Sequence, residues 1–465
     1  MFSNIKKIHF VGIGGIGMSG IAEILINMGF TVSGSDKHPS EITDRLKKLG
    51  AKIYKGHSAN NVKDVDVLVY SSAVNLDNPE IIKANQNKIP VIRRAEMLAE
   101  LMKMKYGIGI AGTHGKTTST SMIGLILTEA KMDPTIIVGG KLSSLGGTNA
   151  RLGEGDFIVV EADEFDRSFL QLSPSIAIIT TLEREHLDIY TDLDDIKKAF
   201  IEYANKVPFY GFVVLCLDED ALLDIIPQIN KKVITYGLTS QSDLQAIDVH
   251  YDQQKSEFTI LYKGENLGKV ELNVPGAHNV RNALAAIVTA IELNVPIKTI
   301  KNAIKSFSGV YRRFEVKAKI GNNMIVDDYA HHPTEVAATL LAAKTGWKKR
   351  VVAIFQPHTY TRTRDFYQEF GKSFFNADIL IVTDIYPARE EPIQGIDGEL
   401  IANAAKNYGH KHVHYIKNKK DVPSFVEKNI GTNDLIITLG AGDIYKYGEE
   451  IINRLTKTKS TKKIK

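Results

Sequence analysis

A single cysteine among 465 residues, Cys216, excludes an intramolecular disulfide framework and any thiolate metal cluster. A buried bystander thiol is the plainer reading of it. Charge of one sign is equally scarce. Lys and Arg number 58 against 54 Asp and Glu, and the formal charge of +4 is too slight to argue for nucleic acid as a partner. No apolar run is long enough to span a bilayer. Ile8 to Ile26 comes nearest, but Gly12, Gly14, Gly15, Gly17 and Gly20 punctuate it and Glu23 charges it, which suits neither a signal peptide nor a membrane helix. No membrane insertion and a cytoplasmic location are therefore expected. Short-period repeats and low-complexity linkers are missing too, apart from residues 457–465. There Lys457, Lys459, Lys462, Lys463 and Lys465 stand among Thr and Ser, and a flexible basic tail is the expectation.

What remains is a chain made for packed cores. Hydrophobic residues make up 43% and charged residues 24%, which rules out bulk disorder. At roughly 150 residues per domain the length predicts about three domains. Strand and helix patterns alternate throughout, the signature of βαβ units and parallel sheets. Residues 1–105 open on the strand Ile8 to Val11, a glycine turn and a helix from Met18 to Met28, and read as Rossmann-like. Residues 106–312 open on Tyr106 to Ile110 and a second glycine turn, and read as a P-loop ATPase-like parallel sheet. Short alternating stretches between about 210 and 275 form its β-rich flank. Residues 313–456 repeat the alternation through Met324 to Val326, Arg350 to Phe355, Ile379 to Val382 and Leu435 to Thr438, a second Rossmann-like domain. The expected class is three-domain α/β.

Two turns carry phosphate-binding chemistry. Gly12-x-Gly14-x-x-Gly17 lies between a strand and a helix, with Asp36 at the end of the next strand. Glycines permit the tight turn and close backbone approach, and the helix start offers unpaired N–H groups to an anion. The motif alone leaves open NAD(P) or FAD, another nucleotide diphosphate, and a purely structural turn. The second turn is Gly112-Thr113-His114-Gly115-Lys116-Thr117-Thr118. Its backbone N–H groups suit phosphates, Lys116 suits the β and γ oxygens, and the Thr117 hydroxyl suits Mg²⁺. Its first glycine sits closer to Gly115 than strict Walker A spacing requires. Further hard ligands follow at strand ends, at Glu161-Ala-Asp163-Glu164 and just past the next strand at His186.

The order of Gly112–Thr118, Glu161-Ala-Asp-Glu and Glu185-His186-Leu-Asp188 resembles the Mur ligases, ATP-dependent amide-forming enzymes of peptidoglycan synthesis. Pro275-Gly276-Ala-His278-Asn279-Val-Arg-Asn282, Tyr311-Arg-Arg313-Phe-Glu315 and Asp327-Asp328-Tyr329-Ala-His331-His332 extend the likeness over nearly the whole chain. The opening glycine turn, Ser71-Ser72-Ala-Val74 and Gln356-Pro-His358-Thr-Tyr-Thr-Arg362 look like the member that adds the first amino acid. The resemblance implies ligation of L-alanine to the lactyl carboxylate of UDP-N-acetylmuramate through an acyl phosphate, with ATP and Mg²⁺ as cofactors. It assigns the first domain to the UDP-sugar, through Gly14, Gly15, Ile16, Gly17, Asp36, Ser71 and Ser72. Lys116, Glu161 and His186 become the catalytic set, and Thr117, Glu161 and His186 the metal ligands. Asn279, Asn282, Arg313 and Asp328 join residues 112–118 around ATP, and His331, His358 and Arg362 position the amino acid.

Two departures mark the limits of the likeness. Thr359 stands where some members carry Arg after the Pro-His. Lys197 and Lys198 come too early for the carbamoylated lysine several sister ligases use, so neither takes that role. The competing readings are another ligase of this type, such as a murein peptide ligase or a folylpolyglutamate-type synthase, an NAD-dependent oxidoreductase, and a non-catalytic nucleotide-binding regulator. A folate enzyme has no UDP-binding first domain, and an oxidoreductase leaves Lys116, Glu161 and His186 without a task. A monomer or homodimer is expected.

Overall fold

The structure is a computed structural model describing residues 4–142 and 148–462. Its first sheet is built from short β-branched and apolar runs: β1 (Lys7–Val11), β2 (Thr31–Asp36), β3 (Lys52–Lys55), β4 (Val67–Tyr70) and β5 (Val91–Arg93). The order is β3-β2-β1-β4-β5 and the pairings are parallel. The winding reverses between β1 and β4, and the crevice beyond the carboxyl ends of such a pair is where open α/β sheets take ligands. The glycine turn after Val11 and Ser71-Ser72 after Tyr70 both emerge there.

The second sheet comprises β6 (Tyr106–Ala111), β7 (Thr135–Leu142), β8 (Thr148–Arg151), β9 (Phe157–Glu161), β10 (Ile176–Ile179), β11 (Phe212–Cys216), β12 (Val233–Gly237), β13 (Leu244–Asp252), β14 (Lys255–Tyr262) and β15 (Glu265–Leu272). Its order is β15-β14-β13-β12-β11-β10-β6-β9-β7-β8. β6 is central, parallel to both β9 and β10, so the turn after Ala111 sits between two strand ends that deliver Glu161 and Thr180. The β-rich stretch expected after residue 210 continues this same sheet. Cys216 ends β11 fully buried, and burial pushes its thiol up to about 12.

The third sheet has β16 (Glu315–Ile320), β17 (Asn323–Asp328), β18 (Arg350–Phe355), β19 (Ile379–Thr383), β20 (Val413–Ile416) and β21 (Asp434–Leu439), in the order β16-β17-β21-β18-β19-β20. β16 pairs antiparallel and the others parallel, over a core that includes Ile325, Ile354, Ile381 and Ile436. The chain divides into two compact units, Met1–Asp248 with Phe258–Val270 and Arg281–Ser308, and Val249–Glu257 with Glu271–Val280 and Gly309–Lys465. The last helix is Ile444–Lys462, so helix continues where a loose basic tail is expected from residue 457. Lys463 and Lys465 lie outside the described residues.

One polar network in the first sheet was not expected from sequence. Glu80 is fully buried, accepts hydrogen bonds from Ser35 Oγ at 2.5 Å and Asn61 Nδ2 at 2.5 Å, and lies 3.2 Å from His57 Nδ1 and 3.7 Å from His9 Nε2. Burial alone would raise this carboxyl. Its partners outweigh burial and hold it at about 2, against 4.5 for the free group. Because the fold favours the ionised form, the resulting stability is complete above about pH 4.5 and is lost as pH falls toward 2. Its size is about 3 kcal/mol. Glu80→Gln is expected to lower the urea midpoint at pH 7 and to flatten the fall of that midpoint between pH 4.5 and 2. An unchanged acid profile would remove Glu80 from this role.

Candidate active site

The turn after β6 has a left-handed residue at each glycine, with φ of 130° at Gly112 and 83° at Gly115. Space demands glycine there as well. A Cβ on Gly112 would lie 2.3 Å from Thr180 Oγ1, and one on Gly115 2.3 Å from Asn282 Oδ1. Gly115 caps the helix Lys116–Glu129, on which Thr118 is buried. The turn is bolted to the end of β10. Thr113 N–H donates to Thr181 O at 3.1 Å, His114 N–H to Thr181 Oγ1 at 2.8 Å, and Thr180 Oγ1 to His114 O at 2.5 Å. Thr113 Oγ1 in turn accepts from Glu183 N–H at 2.9 Å. These threonines carry no motif signal beyond their place at a strand end.

Lys116 turns its ammonium back into the turn, donating to Gly112 O at 2.6 Å and Thr113 O at 3.2 Å. Glu164 clasps it with both oxygens, at 2.8 and 2.7 Å. Burial opposes the charge, but Glu164, Asp163 and Glu161 outweigh it and hold Lys116 above its ordinary value. Thr117 Oγ1 donates to Glu161 at 3.0 and 2.9 Å, and Gly139 N–H donates to the same carboxylate at 2.7 Å. His186, at a φ of 53°, meets the edge of the Phe165 ring and lies 3.7 Å from Glu164 and 4.0 Å from Glu185. Glu164, Glu185 and His186 each offer a ligand atom within 4.8 Å of the others. The sequence groups Glu164 with Glu161 and Asp163 as hard ligands at a strand end; its pairing with Lys116 is visible only in the structure. Asn282 sits over the turn, with Ser119 Oγ donating to its Oδ1 at 3.3 Å. Lys197 is engaged elsewhere, donating to Asp224 at 2.8 Å.

In the first sheet, Gly14 N–H donates to Asp36 Oδ2 at 2.9 Å and His38 N–H to Asp36 Oδ1 at 3.0 Å. One oxygen of Asp36 thus braces the glycine turn and the other the segment that follows its own strand. Gly12 has a φ of 80°, and Gly15 N–H donates back to Gly12 O at 3.2 Å. Ile16 is exposed, and its carbonyl accepts from Asn149 at 2.5 Å. Gly17 lies against the Arg94 guanidinium, which a Cβ there would displace. Ser71 N–H donates to Val11 O at 3.2 Å, and Ser72 lines a cavity of about 500 Å³ with Tyr70, Arg93, Arg94, Arg167 and Ser168. Three guanidiniums against one lining carboxylate, Asp166, suit it to an anion. Arg167 and its neighbour Asp166 both have positive φ, 59° and 53°. None of the three arginines was singled out from sequence.

The second unit gathers the remaining residues into two groups. Asp328 accepts Phe314 N–H at 2.7 Å and Ala330 N–H at 2.8 Å, and burial pushes it up to about 6 despite Arg313. Arg313 lies over the Tyr329 ring and donates to Glu335 at 3.2 Å. The His331 ring meets His358 edge-on, His358 stacks on Tyr386, and Arg362 Nη1 lies 3.3 Å from His358 Nδ1. Burial, with His331 and Arg362 alongside, lowers His358 to about 3 and keeps it neutral. Thr359 holds a φ of 68° and caps the helix Tyr360–Ser373. Asn279 donates to Pro275 O at 2.7 Å within its own helix start. Tyr386, 28 positions from His358, carried no local signal.

Comparison with known proteins agrees across the chain. Residues 7–106 match the Mur ligase family, catalytic domain, residues 110–290 the Mur ligase middle domain, and residues 312–442 the Mur ligase, glutamate ligase domain. The chain is 55% identical over 455 residues to UDP-N-acetylmuramate–L-alanine ligase of Geotalea uraniireducens (strain Rf4), covering 98% of this chain and 99% of that protein. The protein of the same name from Geobacter sp. (strain M21) is 51% identical, covering 99% and 100%. Among solved structures, UDP-N-acetylmuramate-alanine ligase MurC of Thermotoga maritima aligns with a TM-score of 0.82 at 30% identity, over 97% of this chain and 99% of that one. A murein peptide ligase of Psychrobacter arcticus aligns at 0.71 and 25%, over 97% and 98%.

Gly115→Ala is expected to weaken ATP at least tenfold, because the new methyl meets Asn282 and the left-handed φ is strained by about 1 kcal/mol or more. In an Asn282→Ala background the collision is gone but the strain is not, so calorimetry should find Gly115→Ala weakening ATP relative to Asn282→Ala alone, though by less than in the wild-type chain. No weakening in that background would assign the whole effect to crowding.

Proposed function

Because the chain belongs to the Mur ligase family, we propose that it joins L-alanine to the lactyl carboxylate of UDP-N-acetylmuramate, converting ATP to ADP and phosphate in peptidoglycan precursor synthesis. The observation that carries the chemistry is the convergence of Lys116, Thr117, Glu161 and His186 beside one glycine turn. A carboxylate does not condense with an amine in water, so it must first be activated. The lactyl oxygen attacks the γ-phosphorus, ADP leaves, and an acyl phosphate remains. The alanine amine then attacks the acyl carbon, loses its proton, and the tetrahedral adduct expels phosphate. Lys116 and the loop N–H groups neutralise the transferring phosphoryl group, which otherwise repels an anionic nucleophile.

The donor set suits a hard divalent cation, since the Thr117 hydroxyl adjoins the Glu161 carboxylate and His186 lies among Glu164 and Glu185. Thr117 and Glu161 would hold one Mg²⁺ and His186 would help hold a second, and such ions supply charge neutralisation on the phosphoryl oxygens when bound. Residues 1–105 serve the UDP-sugar, with the Gly12–Gly17 turn, Ser71 and Ser72 at its diphosphate and Asp36 as brace. Residues 106–312 serve ATP. Residues 313–456 serve alanine, with Arg362 set to pair its carboxylate and neutral His358 and His331 beside it. ATP and a UDP-sugar as substrates argue for the cytoplasm, and a monomer or a homodimer serves this chemistry equally. A murein peptide ligase is less favoured, given the weaker likeness, and an oxidoreductase leaves Lys116 unexplained.

Phosphate release should require ATP, Mg²⁺, UDP-N-acetylmuramate and L-alanine together. Release without the amino acid, or nicotinamide reduction without ligation, would overturn the reading. Lys116→Ala is expected to lower kcat by about 10³-fold while leaving UDP-sugar affinity within about twofold. Wild-type turnover in that variant would take Lys116 out of the mechanism.

A further inference from the structure

We propose that Glu164 is a partner-exchanging residue, its carboxylate passing from Lys116 to the divalent cation at Glu185 and His186 when nucleotide phosphate reaches the lysine. The inference rests on the ATP reading above and adds a residue to it.

The argument starts from the lysine. An ammonium has three N–H donors. Around Lys116 Nζ stand Gly112 O, Thr113 O and both Glu164 oxygens, all within 3.2 Å. Every donor direction is taken, so a phosphate oxygen binds Lys116 only by replacing one of these. The two carbonyls belong to a turn fixed by Thr180, Thr181 and the positive φ of Gly112. The Glu164 carboxylate is the one partner carried on free side-chain torsions.

Displacement leaves a buried carboxylate that a divalent cation at His186 and Glu185 would satisfy. The Glu164 side chain is 4% exposed, and a carboxylate stranded there beside phosphate charge is costly. Its Oε1 already lies 3.7 Å from His186 Nε2, and Glu185 completes a group whose ligand atoms span no more than 4.8 Å. Two carboxylates and one imidazole suit a divalent ion. The supporting backbone is fixed on both sides. Glu164 O accepts from Tyr190 Oη at 2.7 Å and from Arg167 N–H at 3.0 Å, and Tyr190 is buried. His186 O accepts from Ile189 and Tyr190 N–H at 2.8 and 2.9 Å. The exchange therefore needs a side-chain rotation and no loop movement.

The signs of two binding constants separate this role from a structural one. Glu164→Gln keeps the shape and removes the charge. ADP in excess EDTA should bind the variant about tenfold more tightly than wild type, since its competitor for Lys116 is weakened. Mn²⁺ titrated into the ADP complex and followed by electron paramagnetic resonance should bind about tenfold more weakly. Glu164→Asp, which retains the charge on a shorter arm, should fall between the two in both readings, and decides the matter if Glu164→Gln does not fold. Metal-free ADP that binds no better, or Mn²⁺ that binds equally well, overturns the exchange. If wild-type enzyme binds ADP under neither condition, the nucleotide reading fails first and takes this one with it.

Discussion

Two threonine hydroxyls at the end of β10 hold the glycine turn in the shape on which the proposed ATP site depends. Thr180 and Thr181 satisfy three polar groups of residues 113–114 that a turn of this length cannot satisfy by itself. Gly112 packs so closely against them that no side chain fits. With the turn fixed, Gly115 starts the helix, Lys116 folds back onto the carbonyls of Gly112 and Thr113, and Thr117 falls opposite Glu161 at the end of β9. The parallel arrangement of β9, β6 and β10 delivers all three partners to one edge, because strands running the same way end on the same side.

The same construction recurs elsewhere in the chain with different chemistry. In the first sheet a carboxylate, Asp36, replaces the threonines and binds the N–H of Gly14. In the third, Asp328 at the end of β17 receives the N–H groups of Phe314 and Ala330 and shapes the segment around Arg313. In each case a polar side chain at a strand's carboxyl end satisfies backbone N–H groups of an irregular segment beside it. Buried N–H groups must find acceptors, and these side chains supply them. Asp36 and Asp328 thus spend their oxygens on backbone N–H groups.

Much of this was legible in the sequence because it is local. The strand Arg350–Phe355 is readable to the residue from the apolar run after its arginine, and both glycine turns announce themselves through glycines held at positive φ. The fold class followed from alternation, and the family from motif order. Illegible were contacts between distant segments. Glu80 joins His9, Ser35, His57 and Asn61 across the first sheet, and Tyr386 reaches His358 through strand-end pairing. Glu164 was visible within its motif, but nothing in its spacing distinguished a carboxylate that clasps a lysine from one that faces a metal. That distinction is set by how β9 ends relative to the helix Lys116–Glu129, a tertiary fact.

The burial of Cys216 has a practical side. A thiol so far from solvent, with so little thiolate at neutral pH, resists maleimides and oxidants alike. The native chain is thus already a silent background for site-specific labelling. A cysteine placed on any exposed surface becomes the sole reactive handle, and spin labels or fluorophores can report domain motion without first engineering the natural sulfur away.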